Sequence, residues 1–74
     1  MPDLYSSREI ERVLRKIGFL FSSQEGSHGK FKNASAGRTV ILPMNKKEIP
    51  TGTLHSILRQ AGLKLEQFKE LLKK

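Results

Sequence analysis

The sequence predicts a single α+β domain of order α-β-β-β-α, with a three-stranded antiparallel sheet and helices on one of its faces. Apolar residues recur at helical spacing near both ends of the chain, and three short segments of strand composition lie between them. Short loops between consecutive strands favour an antiparallel meander, and amphipathic helices cover one face of such a sheet. The other face is therefore expected to be open to solvent and to carry the function.

The first helix is predicted to begin after Ser6 and to end at Gly18. Ser6 and Glu9 have the spacing of a capping box, in which each side chain bonds the backbone N–H of the other residue. Glycine at the end suits the left-handed conformation that follows many helices. The apolar residues on one face of this helix are Ile10, Val13, Leu14 and Ile17.

The middle of the chain is predicted to form the three strands. The first begins at Phe19-Leu20-Phe21, whose aromatic content favours a strand, and the second runs from His28 to Asn33. Residues 33–37 have the composition of a hairpin loop, and the third strand follows from Arg38 to Leu42. Pro43 ends that strand because proline has no amide proton to donate.

Helical spacing returns in the last third of the chain. A second helix is predicted with Thr51 as its cap and Gly62 as its stop. A short third helix follows, with Lys64 as a poor cap and an end that is expected to fray. The apolar residues of these two helices are Leu54, Ile57, Leu58 and Ala61, then Leu65, Phe68, Leu71 and Leu72.

Composition narrows the function classes. The 74 residues leave room for one domain, spanning 1–74, with one small core. Fourteen Lys and Arg against seven Asp and Glu give a net charge of +7, which suits nucleic acid, an anionic membrane or an acidic protein. The chain has no cysteine, no apolar run of membrane-spanning length and no signal-peptide pattern at its start. A soluble, cytoplasmic protein with no membrane association is therefore expected.

A lone histidine lies within the most basic part of the chain, in the string Gly26-Ser27-His28-Gly29-Lys30-Phe31. Alternation along a strand puts His28, Lys30 and Lys32 on one face and Phe31 on the other. Burying the phenylalanine under the helices turns the imidazole towards solvent. Imidazole transfers protons near neutral pH, and cations attract polyanions. The cations of residues 26–47, which contain no acid, are Lys30, Lys32, Arg38, Lys46 and Lys47.

The order and spacing of several short strings are similar to those of the HicA family. The strings are Gly18-Phe19, the histidine string at 26–31, Gly37-Arg38-Thr39-Val40, Pro43 and the segment from Gly52 to Leu63. HicA proteins are small toxins of type II toxin–antitoxin pairs in bacteria and phages. The resemblance implies a fold like that of the double-stranded-RNA-binding domain, cleavage of messenger RNA, and silencing by a HicB antitoxin. It places the family's catalytic histidine on His28, within the glycine-serine-histidine element.

Three positions depart from the family pattern. Many members carry a second histidine after the proline, where this chain reads Met44-Asn45-Lys46-Lys47. A larger residue is common directly after the motif histidine, where Gly29 is expected to loosen the site. Arginine is frequent in the second helix where this chain has His55, which would weaken a phosphate contact there or make it depend on pH.

The predicted activity is metal-independent cleavage of messenger RNA with His28 as general base and Lys30 and Lys32 stabilising the transition state. No residue is assigned as the general acid. No metal or small-molecule cofactor is expected, since two histidines and scattered acids do not form a metal-ligand motif. The residues predicted to bind RNA are Gly26, Ser27, Lys30, Lys32, Arg38, Lys46 and Lys47.

Two alternatives use the same residues without cleavage. A non-catalytic RNA-binding module with this fold would read the shape of an RNA helix through its basic face. A protein-interaction domain would present the same basic patch to an acidic partner. Lys46 and Lys47 have a simpler interpretation as well, as solvated charges of a loop.

Overall fold

The computed structural model describes residues 4–74. It confirms the α+β class, including the short third helix: the three strands form one antiparallel sheet in which strands consecutive in the chain are neighbours. No helix in the described part of the chain has the length and apolarity needed to cross a bilayer. The elements are α1 (Ser7–Lys16), β1 (Leu20–Glu25), β2 (His28–Asn33), β3 (Arg38–Pro43), α2 (Thr51–Ala61) and α3 (Leu65–Lys73).

Helix α1 begins as the sequence predicts. Ser6 Oγ accepts a hydrogen bond from Glu9 N at 3.1 Å, and Glu9 Oε1 accepts one from Ser6 N at 2.9 Å. Gly18 lies just beyond the helix with a φ of 100°. Phe19 is buried, and its amide donates to the Leu14 carbonyl at 2.9 Å. Strand β1 therefore starts at Leu20, one residue later than predicted, because Phe19 still completes the end of the helix.

One hydrophobic core lies between the helices and the sheet. Phe31 is fully buried in it, as the alternation along β2 predicts, together with Val40 and Leu42 of β3. Helix α2 contacts mainly β3, while all six residues of β1 are exposed. Strand β1 is therefore the exposed edge of the sheet on the side away from β3. The remaining core residues are Ile10, Val13, Leu14, Phe19, Ile49, Leu54, Ile57, Leu58, Ala61 and Phe68.

The beginning of α2 differs from the prediction. Thr51 is already inside the helix, and Pro50, with a φ of −56°, occupies the cap position without a side-chain hydrogen bond. The Pro50 carbonyl accepts the first bond of the helix, from Leu54 N at 2.9 Å, so the cap residue acts through its backbone alone. The predicted stop is confirmed, since Gly62 is left-handed with a φ of 74°.

Helix α3 is held to α1 by hydrogen bonds at its carboxyl end. Arg12 Nη2 donates to the Leu72 carbonyl at 3.1 Å, and Lys16 Nζ donates to the Leu71 carbonyl at 2.7 Å. At the other end, Lys64 N donates to Gln67 Oε1 at 2.8 Å. A glutamine three residues into the helix thus accepts from the amide of the cap residue, which is the half of a capping box that needs no small hydroxyl at the cap.

Candidate active site

His28 is the first residue of β2 and is exposed on the face of the sheet that the helices leave open. It follows the two-residue turn Gly26-Ser27, in which Gly26 has a φ of 57°. A positive φ at the first turn residue suits tight hairpins and favours glycine. Met44 N donates to the Ser27 carbonyl at 2.7 Å, so the end of β3 anchors this turn. His28 itself pairs with Glu25 of β1 on one side and with Pro43 of β3 on the other, so its backbone is held by both neighbouring strands.

Gly29, next to the histidine, is buried and lies under Met44. A Cβ added to Gly29 would stand 2.9 Å from Met44 Sδ and 3.3 Å from Phe31 Cε1. The methionine therefore fills the space beside the glycine. The expectation that Gly29 loosens the site is wrong, because a residue at the start of the next loop compensates for its missing side chain.

Lys30 and Lys32 lie on the open face with His28, as predicted from alternation. Lys30 is half-buried between Ser23 of β1 and Ile41 of β3, its cross-strand neighbours. A surface pocket of about 280 Å³ opens beside the histidine. The pocket is lined by Ser23, Glu25, His28, Gly29, Lys30 and Ile41.

Lys46 and Lys47 lie in the loop after β3, whose last residue pairs with His28 in the sheet. Buried Ser7 holds this loop at the start of α1: Ser7 Oγ donates to the Pro43 carbonyl and accepts from Lys46 N at 3.0 Å, and Ser7 N donates to the Lys46 carbonyl at 2.9 Å. The two lysines therefore follow the end of β3 that pairs with His28, and their loop is fixed to the start of α1.

Arg38 lies away from His28 and from the lysines described above. It pairs with Asn33 at the opposite end of β2, about 17 Å along the strand from His28. Its Nη1 donates to the Gln60 carbonyl at 3.3 Å, and a Cβ on Gly62 would stand 2.8 Å from its Cζ. The guanidinium thus lies across the carboxyl end of α2, where a cation stabilises the last carbonyls of a helix.

The second histidine lies elsewhere on the molecule. His55 is exposed on α2 and lines a separate groove with Arg59 and Leu63. Across residues 4–74, no three His, Asp or Glu side chains are grouped so that they could hold a metal ion.

Glu25 also lines the pocket beside His28, although it is not among the site residues predicted from the sequence. It stands just outside the acid-free segment in the sequence, yet it pairs directly with His28 and lines the same pocket. The signal for this pairing is the two-residue turn itself, because the residues that flank such a turn are cross-strand neighbours on one face.

Comparison with known protein families gives a match over most of the chain. The family model described as "HicA toxin of bacterial toxin-antitoxin" matches residues 7–63, from the first residue of α1 to just beyond α2. No curated protein matches the chain significantly.

Proposed function

The chain belongs to the HicA family, the toxins of bacterial toxin–antitoxin systems, and on this premise we propose that it is an endoribonuclease that cleaves messenger RNA and so inhibits translation. The observation that carries the proposal is the position of His28: it is exposed at the rim of a pocket on the open face, with Lys30 beside it. We assign RNA as its substrate, the cytoplasm as its compartment and a HicB-like protein as its antitoxin.

In the proposed reaction, neutral His28 takes the proton of a ribose 2′-hydroxyl, and the freed oxygen attacks the adjacent phosphorus. The bond from the 2′-oxygen to phosphorus forms while the bond from phosphorus to the 5′-oxygen breaks. Water gives the leaving oxygen its proton, and the imidazolium returns its own proton to solvent. The products are a 2′,3′-cyclic phosphate and a 5′-hydroxyl. No metal ion takes part in these steps.

The cations have separate tasks in this mechanism. Lys30 lines the pocket and stabilises the negative charge that grows on the phosphoryl oxygens. Lys46 and Lys47, on the loop that Ser7 fixes, bind phosphates along the strand, and Gly26 and Ser27 let the backbone of the turn approach the RNA. Lys32 extends the basic surface along β2.

The decisive experiment incubates the purified protein with a defined single-stranded RNA in the presence of a chelator. We expect cutting by the wild type, none by His28→Ala, and retained cutting by the matched control His55→Ala, which removes the other histidine. A 2′-deoxy nucleotide at the cleavage position should block the reaction. If the wild-type protein binds this RNA but never cuts it, the alternative of a non-catalytic RNA-binding module replaces the proposal.

A further inference from the structure

Glu25 faces His28 across the turn at the tip of the β1–β2 hairpin. The two residues are register partners, both are exposed, and both line the pocket beside the histidine. The strands contain no other acidic residue. Among residues 4–74, the one ion pair between side chains joins Arg15 and Glu11 of α1, and the Glu25 carboxylate forms none.

The geometry brings the carboxylate within reach of the imidazole. Side chains at directly paired positions of antiparallel strands have Cβ atoms about 4.5–5.5 Å apart. A glutamate side chain spans the rest of this gap by rotation of its own bonds, without movement of the strand. The turn between them is anchored by the bond from Met44 N to the Ser27 carbonyl at 2.7 Å, so their separation is maintained. Contacts between catalytic groups often tighten only when substrate is bound.

Resting on the endoribonuclease function above, we propose that Glu25 is the positioning residue of His28. Its carboxylate accepts a hydrogen bond from the N–H of one ring nitrogen, which leaves the other nitrogen unprotonated and directed at the 2′-hydroxyl. When that nitrogen takes the proton, the imidazolium lies beside a negative charge. The carboxylate gains and loses no proton in this step; it orients the ring and stabilises its charged form.

A purely electrostatic role for Glu25 has the opposite consequence. The RNA phosphates approach a surface that carries Lys30 on β2, and Lys46 and Lys47 lie on the loop after β3. A carboxylate among these cations repels phosphate and weakens binding. If Glu25 does nothing else, its neutralisation improves both RNA binding and cleavage. If it positions the histidine, its neutralisation slows cleavage even though RNA binds as well or better.

The test compares Glu25→Gln, Glu25→Asp and the matched control Glu48→Gln, which removes one exposed negative charge from the loop before α2. Single-turnover cleavage is measured on the RNA above, and affinity is measured on its uncleavable 2′-deoxy form. We expect Glu25→Gln to cleave about tenfold or more slowly, a part of the effect of a general base, with unweakened affinity. Glu25→Asp keeps the carboxylate and should recover part of the rate, and Glu48→Gln should cleave at the wild-type rate.

A second readout follows the imidazole itself. Ring-nitrogen NMR spectra of His28 should show one dominant neutral tautomer in the wild type and a mixture in Glu25→Gln, while the thermal unfolding of the two proteins is compared to confirm folding. Cleavage by Glu25→Gln at the wild-type rate or faster overturns the inference and leaves the endoribonuclease proposal intact. A wild-type protein that does not cleave RNA overturns the endoribonuclease proposal, and the role of Glu25 falls with it.

Discussion

Met44 packs over Gly29, with its Sδ 2.9 Å from the point where a Cβ on the glycine would stand. The two residues belong to different elements, β2 and the loop after β3, and they lie directly beside the histidine. The methionine can pack here because the residue beneath it has no side chain. The glycine leaves no cavity because the methionine covers it. This contact fixes the strand that presents His28.

Gly29→Ala is therefore expected to destabilise the protein. The new methyl group overpacks a buried position against Met44 and Phe31, which costs about 1–3 kcal/mol of unfolding free energy. Urea unfolding measures the loss. The double variant with Met44→Ala should recover part of it, because the shorter side chain removes the clash. Gly52→Ala is the control, since a Cβ there meets no atom within 4 Å; an equal loss in that variant would contradict the packing argument.

Ser7→Ala is expected to weaken both the fold and RNA binding. It leaves the Pro43 carbonyl and the Lys46 amide without their side-chain partner, at a cost of about 1–3 kcal/mol. The loop that carries Lys46 and Lys47 then loses its side-chain tie to α1 and keeps only the backbone bond from Ser7 N to the Lys46 carbonyl, so affinity for the 2′-deoxy RNA analogue should fall. Ser6→Ala removes only the helix cap, about 1 kcal/mol. A Ser7→Ala variant that binds RNA like Ser6→Ala would show that the loop does not depend on this tie.

The basic residues should separate into two groups when the salt dependence of RNA binding is measured. Lys46→Ala and Lys47→Ala should each weaken binding and reduce the slope of log affinity against log salt by about 0.7, the value for one phosphate contact with a single strand. Arg38→Ala should leave that slope unchanged and lower the unfolding temperature, because its guanidinium bonds the end of α2. A reduced slope for Arg38→Ala would return this residue to the RNA-binding surface.

Lys16→Ala is expected to loosen α3 selectively. The ammonium donates to the backbone oxygens of Leu71 and Lys74 at 2.7 and 3.0 Å, and both bonds are exposed, so their loss should cost no more than about 1 kcal/mol. Amide hydrogen exchange should then accelerate in α3 and stay unchanged in β2 and β3. Lys69→Ala serves as the control, since it removes an exposed lysine from α3 itself; equal acceleration in both variants would argue against the contact.

Several features of the site could be predicted from the sequence because they depend on neighbours in the chain. The capping box of Ser6 and Glu9, the left-handed stop at Gly62 and the opposite orientations of His28 and Phe31 all follow from spacing over a few residues. The pairing of Glu25 with His28 belongs to the same kind of evidence, since a two-residue turn implies it. Thr51 shows the limit of such reasoning, because its capping hydroxyl favours the cap position but the structure places Pro50 there and Thr51 inside the helix.

The sequence alone determined which faces are apolar, where each element begins and ends to within a residue or so, and that the imidazole points away from the core. Only the tertiary structure decided which distant groups meet: Met44 over Gly29, Ser7 on the loop with Lys46, and Arg38 at the far end of α2 rather than at the site. The physical reason is that periodicity records the burial of each face, whereas a contact between residues of different elements depends on how whole elements pack.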